Sequence, residues 1–437
     1  MKRRNFIITA TICLVALLIF GCPADPGVTD EPGVTVAPAI EVSINGSTIV
    51  NTGSYDFGTY KIFKTEEITG TIRNTGTGDL TLNGNISISG TNADLFTVTN
   101  QPETTIVSGG STTFTASLST GTITGSKTAT LTITSDDGDD GSYAIGLTAT
   151  AADRDWTAAT SSAAWTARYG FGSVVYDDKI WVLGGYDDAV CNDVWYSIDG
   201  VTWTEATSSA AWTARECFGS VVYDDKIWVL GGYDDSGHNN DVWYSTDGVT
   251  WTEATSSAAW SGREGFGSVV YDDKIWVLGG GDRTGPYNDV WYSTDGVTWT
   301  EATSSAAWTA RYCFESVVYD GKIWVLGGDD DSDYCNDVWY SSDGGIWTSA
   351  TLSAAWSARY GLESVVYDDK IWVLGGYDSS GLNNDVWYST DGVTWTEATS
   401  SAAWPARNYF ESVVYDDKIW VLGGYEIDGL CNDVWYW

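Results

Sequence analysis

The chain has 437 residues, longer than one ordinary domain, and a formal net charge of −38, from 59 acidic and 21 basic side chains. A field of that sign repels phosphate backbones and excludes nucleic acid as a partner. The single histidine, His238, cannot build a histidine-based metal cluster and is the only base for a Ser–His or Cys–His pair, which removes much familiar enzymology. His238 lies in a Gly- and Asn-rich stretch and reads as a solvent-facing turn residue.

Residues 1–21 have the layout of an export signal. Lys2, Arg3 and Arg4 form a basic end, an apolar run from Phe6 to Phe20 follows, and the segment closes on Ile19-Phe20-Gly21-Cys22. Those last four residues resemble the lipobox of bacterial lipoproteins, with Phe20 where a small residue is usual. The resemblance implies cleavage before Cys22, acylation of its thiol, and a chain held to the bacterial envelope by lipid, at the outer membrane or cell surface in preference to the inner membrane. Residues 22–37 are rich in Pro, Gly, Asp and Thr, cannot bury a core, and read as a tether.

From 38 to 151 short alternating runs recur between turn residues, among them Ile40-Glu-Val-Ser-Ile44, Thr113-Phe-Thr-Ala-Ser-Leu118 and Ala129-Thr-Leu-Thr-Ile133. Period-two patterning at this spacing predicts an immunoglobulin-like β-sandwich of about seven strands. The segments Tyr55-Asp-Phe-Gly58, Ile72-Arg-Asn-Thr-Gly-Thr-Gly-Asp-Leu-Thr-Leu82 and Leu131-Thr-Ile-Thr-Ser135 resemble Hydin-like (choice-of-anchor D) Ig-like domains. That resemblance implies a spacer or docking module without chemistry.

Residues 152–437 are internal repetition. Arg recurs at 168, 215, 263, 311, 359 and 407, Gly-Gly begins sixteen residues after each, and Asp-Val-Trp-Tyr follows from 193, 241, 289, 337, 385 and 433. Each copy reads as four strands. Strand a is Ser-Val-Val-Tyr, and Asp-Asp or Asp-Gly makes a tight turn. Strand b, Lys-Ile-Trp-Val-Leu, ends at Gly-Gly, strand c is Asp-Val-Trp-Tyr, and a second Asp-Gly turn leads to strand d. The Gly-Gly after strand b, with Tyr244 and Trp251 seven residues apart beyond it, resembles the kelch motif, and Ser245-Thr-Asp-Gly-Val-Thr-Trp251 is a weaker relative of the sialidase Asp-box. The expected fold is therefore all-β, an Ig-like sandwich followed by a six-bladed kelch-like β-propeller. The last copy lacks a strand d, so Trp156–Thr160 should complete it beside Asp433–Tyr436.

The six Arg are expected to fix the loop before strand a through carboxylates or carbonyls, with ligand contact the alternative. Trp165, Trp212, Trp260, Trp308, Trp356 and Trp404, in the Ser-Ala-Ala-Trp connections from strand d to the next strand a, either pack against the adjacent blade or stack on sugar rings of a ligand. The fourth residue after the Arg is Gly172, Gly219 and Gly267 in three copies but Glu315, Glu363 and Glu411 in the next three. Three carboxylates along one side of a channel suggest a cation site for Ca²⁺, the one cofactor the pattern admits; the alternative is that each Glu pairs with an Arg. Among the cysteines, Cys313–Cys335 and Cys191–Cys217 are candidate disulfides.

The most variable stretches follow Gly-Gly, such as Gly281–Tyr287 and Asp329–Cys335, and lie on the same face as the d-to-a connections. Loop clusters of this kind recognise ligands. The expected function is binding or adhesion, to a protein or a glycan. A galactose-oxidase chemistry needs two His ligands and is excluded. A sialidase-like or other carboxylate-dependent glycoside hydrolase and a purely structural envelope spacer are the alternatives.

Overall fold

The computed structural model describes residues 37–61, 65–119, 124–152 and 155–437. The leader, Cys22 and nearly all of the tether lie outside the described residues. The chain divides into two compact units, the first reaching Ala149 and the second spanning Thr150–Trp437.

The first unit is an Ig-like sandwich. One sheet runs in the order Ser47–Ile49, Ile40–Ile44, Thr65–Asn74, Ser111–Ser119, Phe96–Asn100, and the other Ser54–Lys61, Ser142–Ala152, Gly125–Thr134, Ser87–Ser89. With the short ribbon Leu80–Thr81 and Thr105–Ile106, the described strands outnumber the seven expected. Alternation puts Val42, Ile44, Ile72, Phe114, Leu131 and Ile145 inside. Asn74 is fully buried and pins three segments: its Nδ2 donates to the carbonyls of Gly78 and Ile106, and its Oδ1 accepts from Ala39 and Gly76.

In the second unit the repeats form six sheets among the described residues, each in the order a-b-c-d. In the second sheet strand a is Gly219–Tyr223 and strand b Lys226–Asp234, with Tyr223 opposite Lys226. The two residues between them, Asp224 and Asp225, both take left-handed φ, 50° and 53°, the mirror-image turn whose twist matches the strands. The last sheet takes its strand d from the start of the unit. Thr157 pairs with Tyr436, Ala158 with Trp435 and Thr160 with Val434, as expected of the clasp.

The Gly-Gly pair departs from the expectation. It does not end strand b. In the second sheet strands b and c continue through it as one long hairpin to Asp234 and Gly237, with a register shift between Leu230 and Gly232. Gly231 and Gly232 have φ of 51° and 96° and form a bulge. The cause is a neighbour: a Cβ on Gly232 would lie 2.5 Å from the Phe218 Cβ. Only in the fourth sheet does strand b, Lys322–Leu326, stop before its glycines.

The core sits between sheets. Val174, Trp181, Leu183 and Val194 of the first face Trp212, Phe218, Ile227, Val229 and Trp251 of the second, and the same cluster recurs around the ring. Each strand-b Trp slides beneath the next sheet's Asp-Gly turn. A Cβ on Gly248 would come within 2.1 Å of the Trp181 ring, so only glycine allows the approach. Where the last sheet would place that turn, Trp437 packs on Trp372 instead, with ring centroids 4.9 Å apart.

Candidate functional site

The repeated Arg is the device that aims the site. Arg215 is fully buried; its Nη1 donates to the Gly231 carbonyl at 2.8 Å, and its two terminal nitrogens take Asp241 at 2.6 and 2.9 Å. The other five copies repeat this lock between the loop before strand a, the Gly-Gly bulge and strand c. The expectation for these residues holds. Behind each lock, the residues immediately after the Arg are thrown toward the axis.

The second residue after each Arg forms a neck. Gly170, Cys217, Gly265, Cys313, Gly361 and Tyr409 all have φ between 50° and 58°. The N–H of each donates to the carbonyl of the one before, and Gly170 donates to Tyr409, so six backbone hydrogen bonds of 2.7 to 3.1 Å close a circle. Left-handed backbone costs a non-glycine residue about 1 kcal/mol or more. Cys217, Cys313 and Tyr409 accept that cost, and their side chains narrow the axis on alternate sheets. The Tyr409 hydroxyl lies 3.4 Å from the Cys313 sulfur. Burial pushes the Cys313 thiol up to about 12 and holds Cys217 well above its ordinary value, so both are protonated, unreactive thiols at neutral pH.

Outside the neck a cavity of about 800 Å³ opens on the loop face. The d-to-a loops and the stretches after Gly-Gly both line it, as their shared face predicts. Its walls are unlike. Tyr169, Tyr425, Tyr409, Tyr360 and Tyr377 make a connected band, with centroids 6.5 Å apart for 169 and 425, 5.8 Å for 169 and 409, 5.8 Å for 360 and 409, and 5.5 Å for 360 and 377. Glu216, Glu264, Asp282 and Asp331 face the same space from the second to fourth sheets. Burial, and then the charge of Glu264, raise Glu216, while the Tyr169 phenol, hydrogen-bonded to it, pulls the other way. Burial also lifts the phenols of Tyr312 and Tyr360 to about 12, so the aromatic faces stay neutral.

Inside the neck lies a small chamber of about 90 Å³ with Glu315, Glu363 and Glu411 on its wall. The expectation for these three is a cation site. Among the described residues, no three His, Cys, Asp or Glu converge as a metal requires. Each carboxylate instead bends to the serine of the next inner strand. Ser412 donates to Glu363 through N and Oγ at 3.0 Å, Ser173 to Glu411 at 3.0 and 2.8 Å, and Ser364 Oγ to Glu315 at 3.4 Å. The Arg pairing considered as the alternative is absent too, because every repeated Arg is taken by its own Asp.

Of the two readings of the connection tryptophans, packing holds and stacking falls, and the candidate disulfides and the reading of His238 are corrected. Trp165, Trp212, Trp260, Trp308, Trp356 and Trp404 are at most 1% exposed and cannot stack on a ligand. Each meets a second Trp edge-on, as Trp212 meets Trp251 at 5.8 Å, and their indole N–H groups have no partner, so this is dry packing between sheets. Cys191, Cys217, Cys313 and Cys335 are all free. Cys217 and Cys313 belong to the axial neck, whereas Cys191 lies at the start of strand c and Cys335 in the loop before it, where their carbonyls accept from the N–H groups of Arg215 and Arg359. His238 is not a solvent-facing turn residue: its side chain is 10% exposed, its Nε2 lies 3.2 Å from Glu264, and its ring meets Tyr233 edge-on at 5.1 Å.

The residues that sequence reasoning missed are the first after each Arg: Tyr169, Glu216, Glu264, Tyr312, Tyr360 and Asn408. All six line the cavity. They vary while their neighbours repeat, which was a signal available in the alignment of the copies with one another.

A family model described as the KLHDC2/KLHL20/DRC7 Kelch-repeats domain matches residues 136–328 and 292–437. The chain belongs to the kelch-repeat family. A second model, the HYDIN/CFA65/VesB-like Ig-like domain, matches residues 49–148, N-terminal to the kelch repeats. None of the curated proteins compared with the chain matches it. Kelch repeats and Ig-like domains are modules of interaction and binding, and in this kelch protein the axial cavity is the concave, mixed-polarity surface such a role needs.

Proposed function

We propose that this kelch protein is a lipid-anchored binding protein of the bacterial envelope, held by an acylated Cys22 at the outer membrane or cell surface, which takes part of a protein partner into its loop-face cavity. The carrying observation is the cavity itself: about 800 Å³, built from the non-repeating residues of the ring, with opposite walls of aromatic and carboxylate side chains. A rigid scaffold with variation concentrated at one opening is how recognition is separated from stability.

The test is a displayed library of random peptides and a glycan array, both screened with the full chain in detergent. Binding should fall with Tyr360→Ala and survive Glu205→Gln, which alters an exposed strand-d residue. Failure to bind in either screen, or binding indifferent to Tyr360→Ala, would sink the reading. Cys22→Ser should release the chain from the membrane fraction.

A second reading has one observation behind it. Glu216, whose carboxyl is raised by burial and by the neighbouring Glu264, is the kind of acid that glycoside hydrolysis uses. Turnover of any glycoside in a substrate panel, abolished by Glu216→Gln, would replace the binding role with this one.

A further inference from the structure

We infer that the cavity recognises a cationic side chain, an arginine or lysine carried on an extended segment of the protein partner. This rests on the binding reading above and names the chemistry of its ligand. Two independent features of the cavity point the same way.

The first is negative charge that is met by hydrogen bonds but, among the described residues, by no Lys or Arg: Asp282 accepts from Thr284 and from the Tyr287 hydroxyl, and Asp331 from the Tyr312 hydroxyl. Glu216, Glu264, Asp282 and Asp331 line one opening. Among the described residues, no Lys or Arg forms an ion pair with any of them, and Glu264 has only His238. Arg283, the one basic side chain on the lining, donates to the Tyr233 hydroxyl at 3.3 Å rather than to a carboxylate. Carboxylates grouped in a partly enclosed space repel one another, and a cation entering from solvent relieves that repulsion.

The second is the tyrosine band facing them. The negative face of an aromatic ring attracts a guanidinium or ammonium within about 6 Å. A phenol that stays neutral keeps that face available. The protein already holds a cation this way in its third sheet: the Arg263 guanidinium lies 4.6 Å from the Tyr287 ring centroid and bonds Asp289 at 2.6 and 2.9 Å. The cavity brings the same two kinds of surface, tyrosine rings and carboxylates, to one space.

Volume selects the source of the charge. About 800 Å³ falls in the range that encloses a ligand of several side chains and is far larger than one small amine requires. Below it the neck residues Cys217, Cys313 and Tyr409 lead only to the chamber of about 90 Å³, too small for a ligand of that size. The ligand therefore enters and leaves by the loop face, as a segment reaching in from a larger partner.

The experiment is the peptide selection on the full chain, read for charge. Enriched peptides should carry a shared Arg or Lys. Replacing that residue by citrulline or norleucine should weaken binding about tenfold, as should Glu216→Gln or Tyr360→Ala, with affinity falling as salt rises. Glu205→Gln should leave it unchanged, and matching thermal melts of the variants will exclude misfolding as the cause. Enriched peptides that are neutral or acidic, or a peptide indifferent to Glu216→Gln, would overturn the inference while leaving a binding role intact. Glycan binding without peptide binding would also overturn it. An absence of both would overturn the binding role as well.

Discussion

Arg215 and Asp241 meet end to end, two nitrogens against two oxygens, with the guanidinium wholly removed from solvent and the carboxylate one-sixth exposed, at 17%. The pair joins the first strand's approach to the third strand of the same blade and sets the direction of Glu216, which follows the Arg directly. Asp241→Ala leaves a buried cation facing a void, and should destabilise the protein by about 3–5 kcal/mol in urea titrations. Arg215→Met, which removes the charge and keeps the volume, should cost clearly less. Equal losses would mean that packing, and not charge, accounts for the lock.

The three axial glutamates make stability fall as pH rises. Burial raises Glu411 to about 8, and raises Glu315 and Glu363 well above the ordinary value, helped in both by the charge of a neighbouring glutamate. A carboxyl whose folded pKa is raised favours the folded state fully below its unfolded value near 4.5, and that contribution is lost as pH climbs through the folded value. The melting temperature should therefore decline between pH 5 and pH 9. Glu411→Gln should flatten the decline, melting above wild type at pH 9 and close to it at pH 5. A pH-independent difference between the two would refute this.

Gly248 tests how blades are joined. Its left-handed φ of 71° and the Trp181 ring beneath it both exclude a side chain. Gly248→Ala should destabilise by about 2–3 kcal/mol, through overpacking and backbone strain together. Gly321→Ala, at a comparable φ of 65° with nothing near its missing Cβ, isolates the backbone part and should cost less. Chemical denaturation of both variants separates the two contributions.

The clasp depends on aromatic packing at the seam. Trp156 meets Trp404 edge-on at 5.8 Å and Trp437 at 6.4 Å. Trp156→Ala should cost about 3–5 kcal/mol, as deletion of a large core side chain does. Because this contact joins the two ends of the ring, the loss should appear chiefly as faster unfolding in stopped-flow chevrons. An unchanged unfolding rate would mean that the seam is not where opening begins.

Much of this architecture was legible because repetition reports equivalence. Arg, Gly-Gly and Asp-Val-Trp-Tyr recur in step, so the strands, the Arg lock and the borrowed final strand could be read from one copy and multiplied. What repetition does not report is the radius at which a side chain ends. Trp212 stands on a connection, where exposure is the usual expectation, yet the connection folds inward and the ring is sealed between sheets. Cys217 stands in the axial neck, while the Cys191 sulfur turns back to the Ala189 carbonyl of its own sheet, so the two thiols do not meet. The Gly-Gly pair looked like a strand end because glycine turns freely. Only the proximity of Phe218 explains why Gly232 is a bulge inside a longer strand. The cavity residues escaped notice for a related reason: Glu216 and Tyr360 sit beside an invariant residue that drew attention to itself.

The circle of hydrogen bonds at the neck has a consequence for how this protein could diversify. Every amide there is already occupied by the carbonyl of the preceding neck residue, so the main chain of the neck offers a visitor no donor. Discrimination must then come from the handful of side chains that project above it. Exchanging those few, with the annulus beneath left untouched, would let one scaffold be retuned to a different guest without having to relearn how to fold.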